Sequence, residues 1–141
     1  MSNFNLTIVT PERCFFTDEV DMVVVNAVKG EMAVLKNRAP IITPLKTGKI
    51  RIFKDGEERV AAVVDGYINV GRYSTIVVTN AAEWPEEIDV ERALEAKRRA
   101  EGSLKRDKGK DVIQAQLALR RALNRIAVAK MRNSGNPGDG P

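Results

Sequence analysis

The sequence predicts an α+β chain: an N-terminal antiparallel β-sandwich over residues 1–85, a C-terminal antiparallel two-helix hairpin over residues 86–132, and a disordered tail over residues 133–141. Three observations carry this. Up to Thr79, short apolar runs with a period of two alternate with turn residues at intervals of about 8 to 12 positions, the pattern of an all-β sandwich or flattened barrel. At Trp84-Pro85 the period changes, and from Asp89 onward apolar residues recur at helical spacing. Aromatic residues all lie at or before Trp84, whereas eight alanines fall between residues 86 and 132.

Phe4, Leu6 and Ile8 alternate with polar residues from Asn3 to Thr10, which makes a strand with one buried face, ended by Pro11. Phe15-Phe16-Thr17-Asp18 reads as a turn region. Val20 to Ala27 is rich in β-branched residues and apolar on both faces, so it is a central strand. Glu31 to Leu35 is a further short strand, followed by the polar loop Lys36 to Pro40 and then Ile41 to Leu45, which Pro40 and Pro44 assign to an edge. Asp55-Gly56 between Ile50–Lys54 and Glu57–Val64 is a strong hairpin signal, because both turn positions need positive φ. Tyr67–Val70 and Thr75–Thr79 complete the strands.

Proline keeps Trp84 extended and separates strands from helices. Asp89 is the N-cap of the first helix, whose stripe is Val90, Ala93, Leu94, Lys97, Ala100 and Leu104. Gly102 weakens its end, and residues 107–110 break it. Asp111 caps the second helix, with Gln114 three positions on, and its stripe is Val112, Ala115, Leu119, Ala122, Ile126 and Ala129. A connection of about four residues sets the two helices antiparallel. The tail from Asn133 holds three glycines and two prolines, a composition that does not bury a core.

The net charge of +4 conceals an asymmetry: residues 1–85 hold ten basic and ten acidic side chains, residues 86–132 thirteen and eight. There is one cysteine, Cys14, and no histidine. No disulfide can form within the chain, a reducing compartment is expected, and the commonest general base and metal ligand are missing. No apolar run approaches the ~20 residues needed to cross a bilayer, and no signal-peptide pattern opens the chain. There is no Walker-type phosphate loop and no carboxylate cluster suited to magnesium, so the isolated chain is expected to have no ATPase activity.

Three stretches, Val9-Thr10-Pro11-Glu12, Gly30–Leu35 through Arg38-Ala39-Pro40-Ile41, and Ile88-Asp89-Val90-Glu91-Arg92-Ala93, resemble the epsilon subunit of the F-type ATP synthase in their order and spacing, from Phe4 to about Arg132. The resemblance implies a non-catalytic rotor subunit that couples proton flow to ATP synthesis. Its sandwich would dock on the gamma subunit and the c-ring. Its hairpin would either fold against the sandwich or extend toward the alpha and beta subunits, where it inhibits ATP hydrolysis. Residence at the cytoplasmic face of a bacterial membrane, held peripherally through the complex, is implied as well.

The Ile88–Ala93 motif further resembles a nucleotide-binding signature, which assigns Glu83, Ile88, Asp89, Arg92, Ala93, Arg99, Arg121 and Arg125 to an ATP site, with ATP a regulatory ligand and no catalytic cofactor. Helical geometry agrees, since Arg92 and Arg99 lie within ~20° of each other and Arg121 and Arg125 are adjacent on their helix. Clustered guanidiniums repel one another until an anion enters and suit bidentate phosphate contact. The competing reading is that these arginines are solvated or paired with Glu91, Glu95 and Glu101, and that Asp89 is only a cap. The same resemblance gives Glu31 and Arg38 to the c-ring contact, and Arg120, Arg121, Arg125, Lys130 and Arg132 to the catalytic head; an ordinary solvated face is the plainer alternative for each. The calculated pI of about 9.4 raises a nucleic-acid-binding module as the alternative function. Against it, the basic helices lack aromatic stacking platforms and interleave their charges with acids.

Overall fold

The structure, a computed structural model, describes residues 3–106 and 109–134, leaving aside the side chains of residues 110 and 132–134. Its described residues contain ten strands and two α-helices. The strands are β1 (Phe4–Val9), β2 (Cys14–Val20), β3 (Met22–Ala27), β4 (Gly30–Val34), β5 (Ile41–Leu45), β6 (Gly48–Lys54), β7 (Glu57–Val63), β8 (Gly66–Val70), β9 (Ser74–Thr79) and β10 (Ala82–Glu83). A 3-10 turn, Pro85–Glu87, precedes α1 (Val90–Arg106) and α2 (Lys110–Ser134). The chain divides into two compact units between Glu83 and Trp84.

In the first unit the order is β10-β7-β6-β3-β5-β8-β9-β1-β2, with β4 also paired to β3. The sheet bends back on itself at β3, where β5 joins through the single pair Ala27↔Leu45. The consecutive burial of Val23, Val24 and Val25 fits the central place read for this strand. Leu6, Ile8, Val20, Ile50, Ile52, Ile68, Val70 and Val77 are fully buried between the folded halves. The Asp55-Gly56 loop has φ of 52° and 80°, as expected for a two-residue turn that follows the strand twist. Gly66 is required for a different reason: a Cβ there would sit 1.9 Å from the Val78 carbonyl oxygen on β9.

Four sequence expectations are corrected. Cys14–Val20 is a strand, not a turn, because Phe15 and Val20 turn inward while Asp18 and Glu19 sit on an edge that tolerates charge. The pairing is not antiparallel throughout: β1 runs parallel to β9, which is feasible because most of the sheet unit lies between them in the chain. β5 is not a sheet edge, although it pairs along its length only with β8, which leaves room for Pro44. Residues 133–134 continue α2 instead of beginning a tail, and the rest of the tail, 135–141, lies outside the described residues.

The second unit starts with Trp84 extended (φ −73°, ψ 155°) before Pro85, as the proline dictates. Asp89 caps α1 as expected, its Oδ1 accepting from the Arg92 N–H at 3.1 Å. Asp111, by contrast, lies inside the first turn of α2. Gly109, at φ 68°, immediately precedes that helix, its carbonyl accepting from the Val112 N–H at 3.1 Å. The Asp111 carboxylate is then favoured by the helix dipole instead of acting as a cap. α1 and α2 pack along a seam of Ala93, Ala100, Ala115, Ala122 and Ala129, all buried and seven apart on each helix. Leu94, Ile113, Leu117 and Leu123 are left exposed.

Candidate functional site

Register shows what alternation alone conceals about the outside of the sheet. Val28, whose N–H donates to the Pro44 carbonyl at 3.2 Å, starts a row that continues through Pro44, Tyr67, Val78 and Val9. The next row is Ile42, Asn69, Ile76, Thr7 and Thr17. Neither row contains a charge, although 30% of the chain's residues are charged. Ile42 is 67% exposed, Val28 57%, Tyr67 44% and Ile76 42%. The outer side of β6 and β7 differs. There Arg51 Nε donates to Glu58 Oε2 at 2.7 Å, the Arg51 guanidinium lies 5.1 Å from the Phe53 ring centroid, and Lys49 is exposed. Contiguous exposed apolar surface of this kind marks an interaction face, whereas scattered exposed apolar residues do not. Sequence reading missed it because its members come from separate strands.

The residues expected at the c-ring contact do not share a loop. Glu31 is exposed on β4 opposite Asn26, while Arg38 lies beyond the other end of that strand. Gly30 to Val34 is strand because it pairs in unbroken register with β3. Arg38 Nη1 donates to the Ala33 carbonyl at 3.1 Å, which folds its side chain back along the 35–38 turn.

Of the residues expected to bind nucleotide, Glu83 belongs to the sheet unit, half-buried and paired with Ala62. The other seven belong to the hairpin. Ile88 and Ala93 are buried, Arg125 is half-buried, and Arg92, Arg99 and Arg121 are exposed. Among the described residues, Arg92, Arg99 and Arg121 have no carboxylate partner, so the pairing with Glu91, Glu95 or Glu101 that would neutralise them is not made. Antiparallel packing of α1 on α2 sets the turn bearing Arg92 level with the turn bearing Arg121 and Arg125. On the basic face, Arg120 and Lys130 are exposed, and the side chain of Arg132 lies outside the described residues.

Lys54 and Asp18, bonded at 2.7 Å, sit in a cleft between β2, β6 and β7 and neutralise one another. The hydrogen bond from Lys54 holds the Asp18 carboxyl below its ordinary range, and the same bond raises the Lys54 ammonium. Among the described residues no group of three carboxylate or thiol side chains could hold a metal ion, and no helix is long and apolar enough to cross a membrane.

An uncharged sheet face in one unit and a cationic helical hairpin in the other are surfaces of the kind that dock on other chains. Residues 3–85 match the beta-sandwich domain of the ATP synthase delta/epsilon chain, and residues 86–130 match its long alpha-helix domain. The chain belongs to the ATP synthase delta/epsilon chain family. It is 42% identical over 137 residues to an ATP synthase epsilon chain of Caldicellulosiruptor saccharolyticus, covering 96% of this chain and 100% of that one. It is also 49% identical over 108 residues to that of Alkaliphilus oremlandii, covering 77% and 81%. The fold is shared with a chain in the Euglena gracilis mitochondrial ATP synthase, with a TM-score of 0.80 at 21% identity over 90% of this chain and 81% of that one.

Proposed function

We infer that the chain is a central-stalk subunit of a proton-translocating ATP synthase, that it transmits rotation, and that it restrains ATP hydrolysis through its hairpin. The observation that carries the docking half of this reading is the charge-free face formed by β5, β8, β9 and β1. A sheet side with Ile42, Val28, Tyr67 and Ile76 open to water suits burial against the gamma subunit. Glu31 and Arg38 are assigned to the polar c-ring loops as two separate contacts. The chain is held peripherally, at the cytoplasmic face of a bacterial membrane. Replacing Ile42 and Ile76 together by aspartate is expected to abolish co-purification with gamma while leaving the denaturation midpoint of the free chain nearly unchanged. Normal assembly by this double variant would remove the face from the interface.

The regulatory half rests on Arg92, Arg99 and Arg121, which have no carboxylate partner among the described residues. ATP binding by these residues with Arg125, Asp89, Ile88, Ala93 and Glu83 relieves the repulsion among the guanidiniums and favours the closed hairpin. Without ATP the hairpin extends and carries Arg120, Arg121, Arg125, Lys130 and Arg132 to an acidic surface of the catalytic head. The alanine seam supports two arrangements of similar free energy, since small side chains bury little area at ~25 cal/mol per Å². Calorimetric titration with ATP should give heat for the native chain and none for the Arg92→Ala, Arg125→Ala double variant. Equal heats, or none from either chain, would exclude the nucleotide site.

A further inference from the structure

We propose that the Asp18 carboxylate, held in place by Lys54, guards the outer edge of β2 against pairing with the β2 edge of a second copy of the chain. β2 ends the strand order, and among the described residues no strand pairs with its outer side. Two contacts show which backbone groups face that side. Thr7 Oγ1 and Thr17 Oγ1 lie 3.2 Å apart, the close approach of an antiparallel pair that exchanges no backbone hydrogen bonds. The Glu19 N–H, two residues on, donates to Asp18 Oδ1 at 2.8 Å, so it too points away from β1. Thr17 and Glu19 therefore turn their N–H and C=O groups outward, as an edge that can take another strand.

A second β2 fits this edge when it runs antiparallel with a two-fold axis at Asp18. Thr17 of each copy then meets Glu19 of the other as a hydrogen-bonded pair, and Phe16 meets Val20. The same axis sets one Asp18 directly opposite the other, where like charges repel. Asp18 and Lys54 occupy inward positions of β2 and β6, in step with Val20 and with Ile50 and Ile52, yet both are exposed because the sandwich is open between these strands. Lys54 reaches across that opening, which Phe16, Ile52, Glu57 and Arg59 also line, to bond Asp18 at 2.7 Å. The bond favours the ionised carboxylate and holds it over the Glu19 N–H. An incoming strand would have to displace that contact and bury the charge, which is how inward-pointing charge keeps an edge unpaired.

The test is sedimentation velocity on the full chain over a range of protein concentrations. Asp18→Ala uncovers the Glu19 N–H and removes the facing charges, so it should dimerise at about tenfold lower concentration than the native chain. Asp18→Asn, which removes the charge alone, should fall between the two, and it is read in place of Asp18→Ala if that variant loses the strand signal in circular dichroism. Adding Thr17→Pro deletes an outward N–H without breaking the β1 ladder, and proline is tolerated on an edge, so the double variant should return to native behaviour. An Asp18 variant no more associated than the native chain would overturn the proposal. So would a dimer that survives Thr17→Pro, or a native chain already paired at β2 and split by Thr17→Pro alone.

Discussion

The two units solve the burial problem with opposite materials. The sheet closes over Leu6, Ile8, Ile50, Ile52 and Ile68, each almost fully removed from water, while the helices of the hairpin bury five alanines and one larger side chain, Val128, and leave Leu94, Ile113, Leu117 and Leu123 exposed. Interdigitated large side chains give one deep minimum, because close packing punishes any displacement. A seam of methyl groups gives a shallow one. The difference teaches which part of the molecule holds position and on which part the proposed ATP switch would act.

The sharpest way to break that contrast is to weaken the rigid side. Ile68→Ala removes a fully buried side chain and should cost roughly 2–5 kcal/mol in chemical denaturation of the sheet unit, with the hairpin's helical signal unchanged at low denaturant. Ala122→Leu comes next, since the alanine seam has no room for an isobutyl group. It should destabilise the hairpin by roughly 1–3 kcal/mol, read as loss of helical circular dichroism and weaker ATP binding while the sheet transition stays in place. Asp89→Ala removes the cap of α1 and should cost about 1 kcal/mol of hairpin stability, seen as faster exchange of the Arg92 and Ala93 amides.

The smallest effect belongs to the Asp18–Lys54 pair. A lowered carboxyl contributes stability that is present above its ordinary value of 3.8 and is lost as pH falls through the lowered one. The raised ammonium contributes below its ordinary value of 10.5, and that contribution is lost as pH rises through the higher one. Both groups are exposed, so salt screens them. Asp18→Asn should be slightly less stable than the native chain at neutral pH and low salt, and the two denaturation midpoints should converge as pH drops well below 3.8.

Much of the fold was legible because local chemistry was emphatic: Asp55-Gly56 marked its turn, Pro85 its boundary and Asp89 its cap. β2 was not legible, since Asp18 and Glu19 interrupt its alternation on an edge where charge is harmless. The docking face was beyond sequence reading for a topological reason. Val28, Pro44, Tyr67, Val78 and Val9 become neighbours only once the register of β5, β8, β9 and β1 is known. In the hairpin, the helical spacing of the arginines could be read directly.

Hydrogen exchange of the full chain with and without ATP tests most directly whether the ligand acts on the hairpin alone. Slowed exchange should be confined to residues 84–134, with the amides of β1 to β9 unchanged. Protection spread across the sheet strands, or no protection anywhere at saturating ATP, would contradict the division between a fixed body and a switchable hairpin.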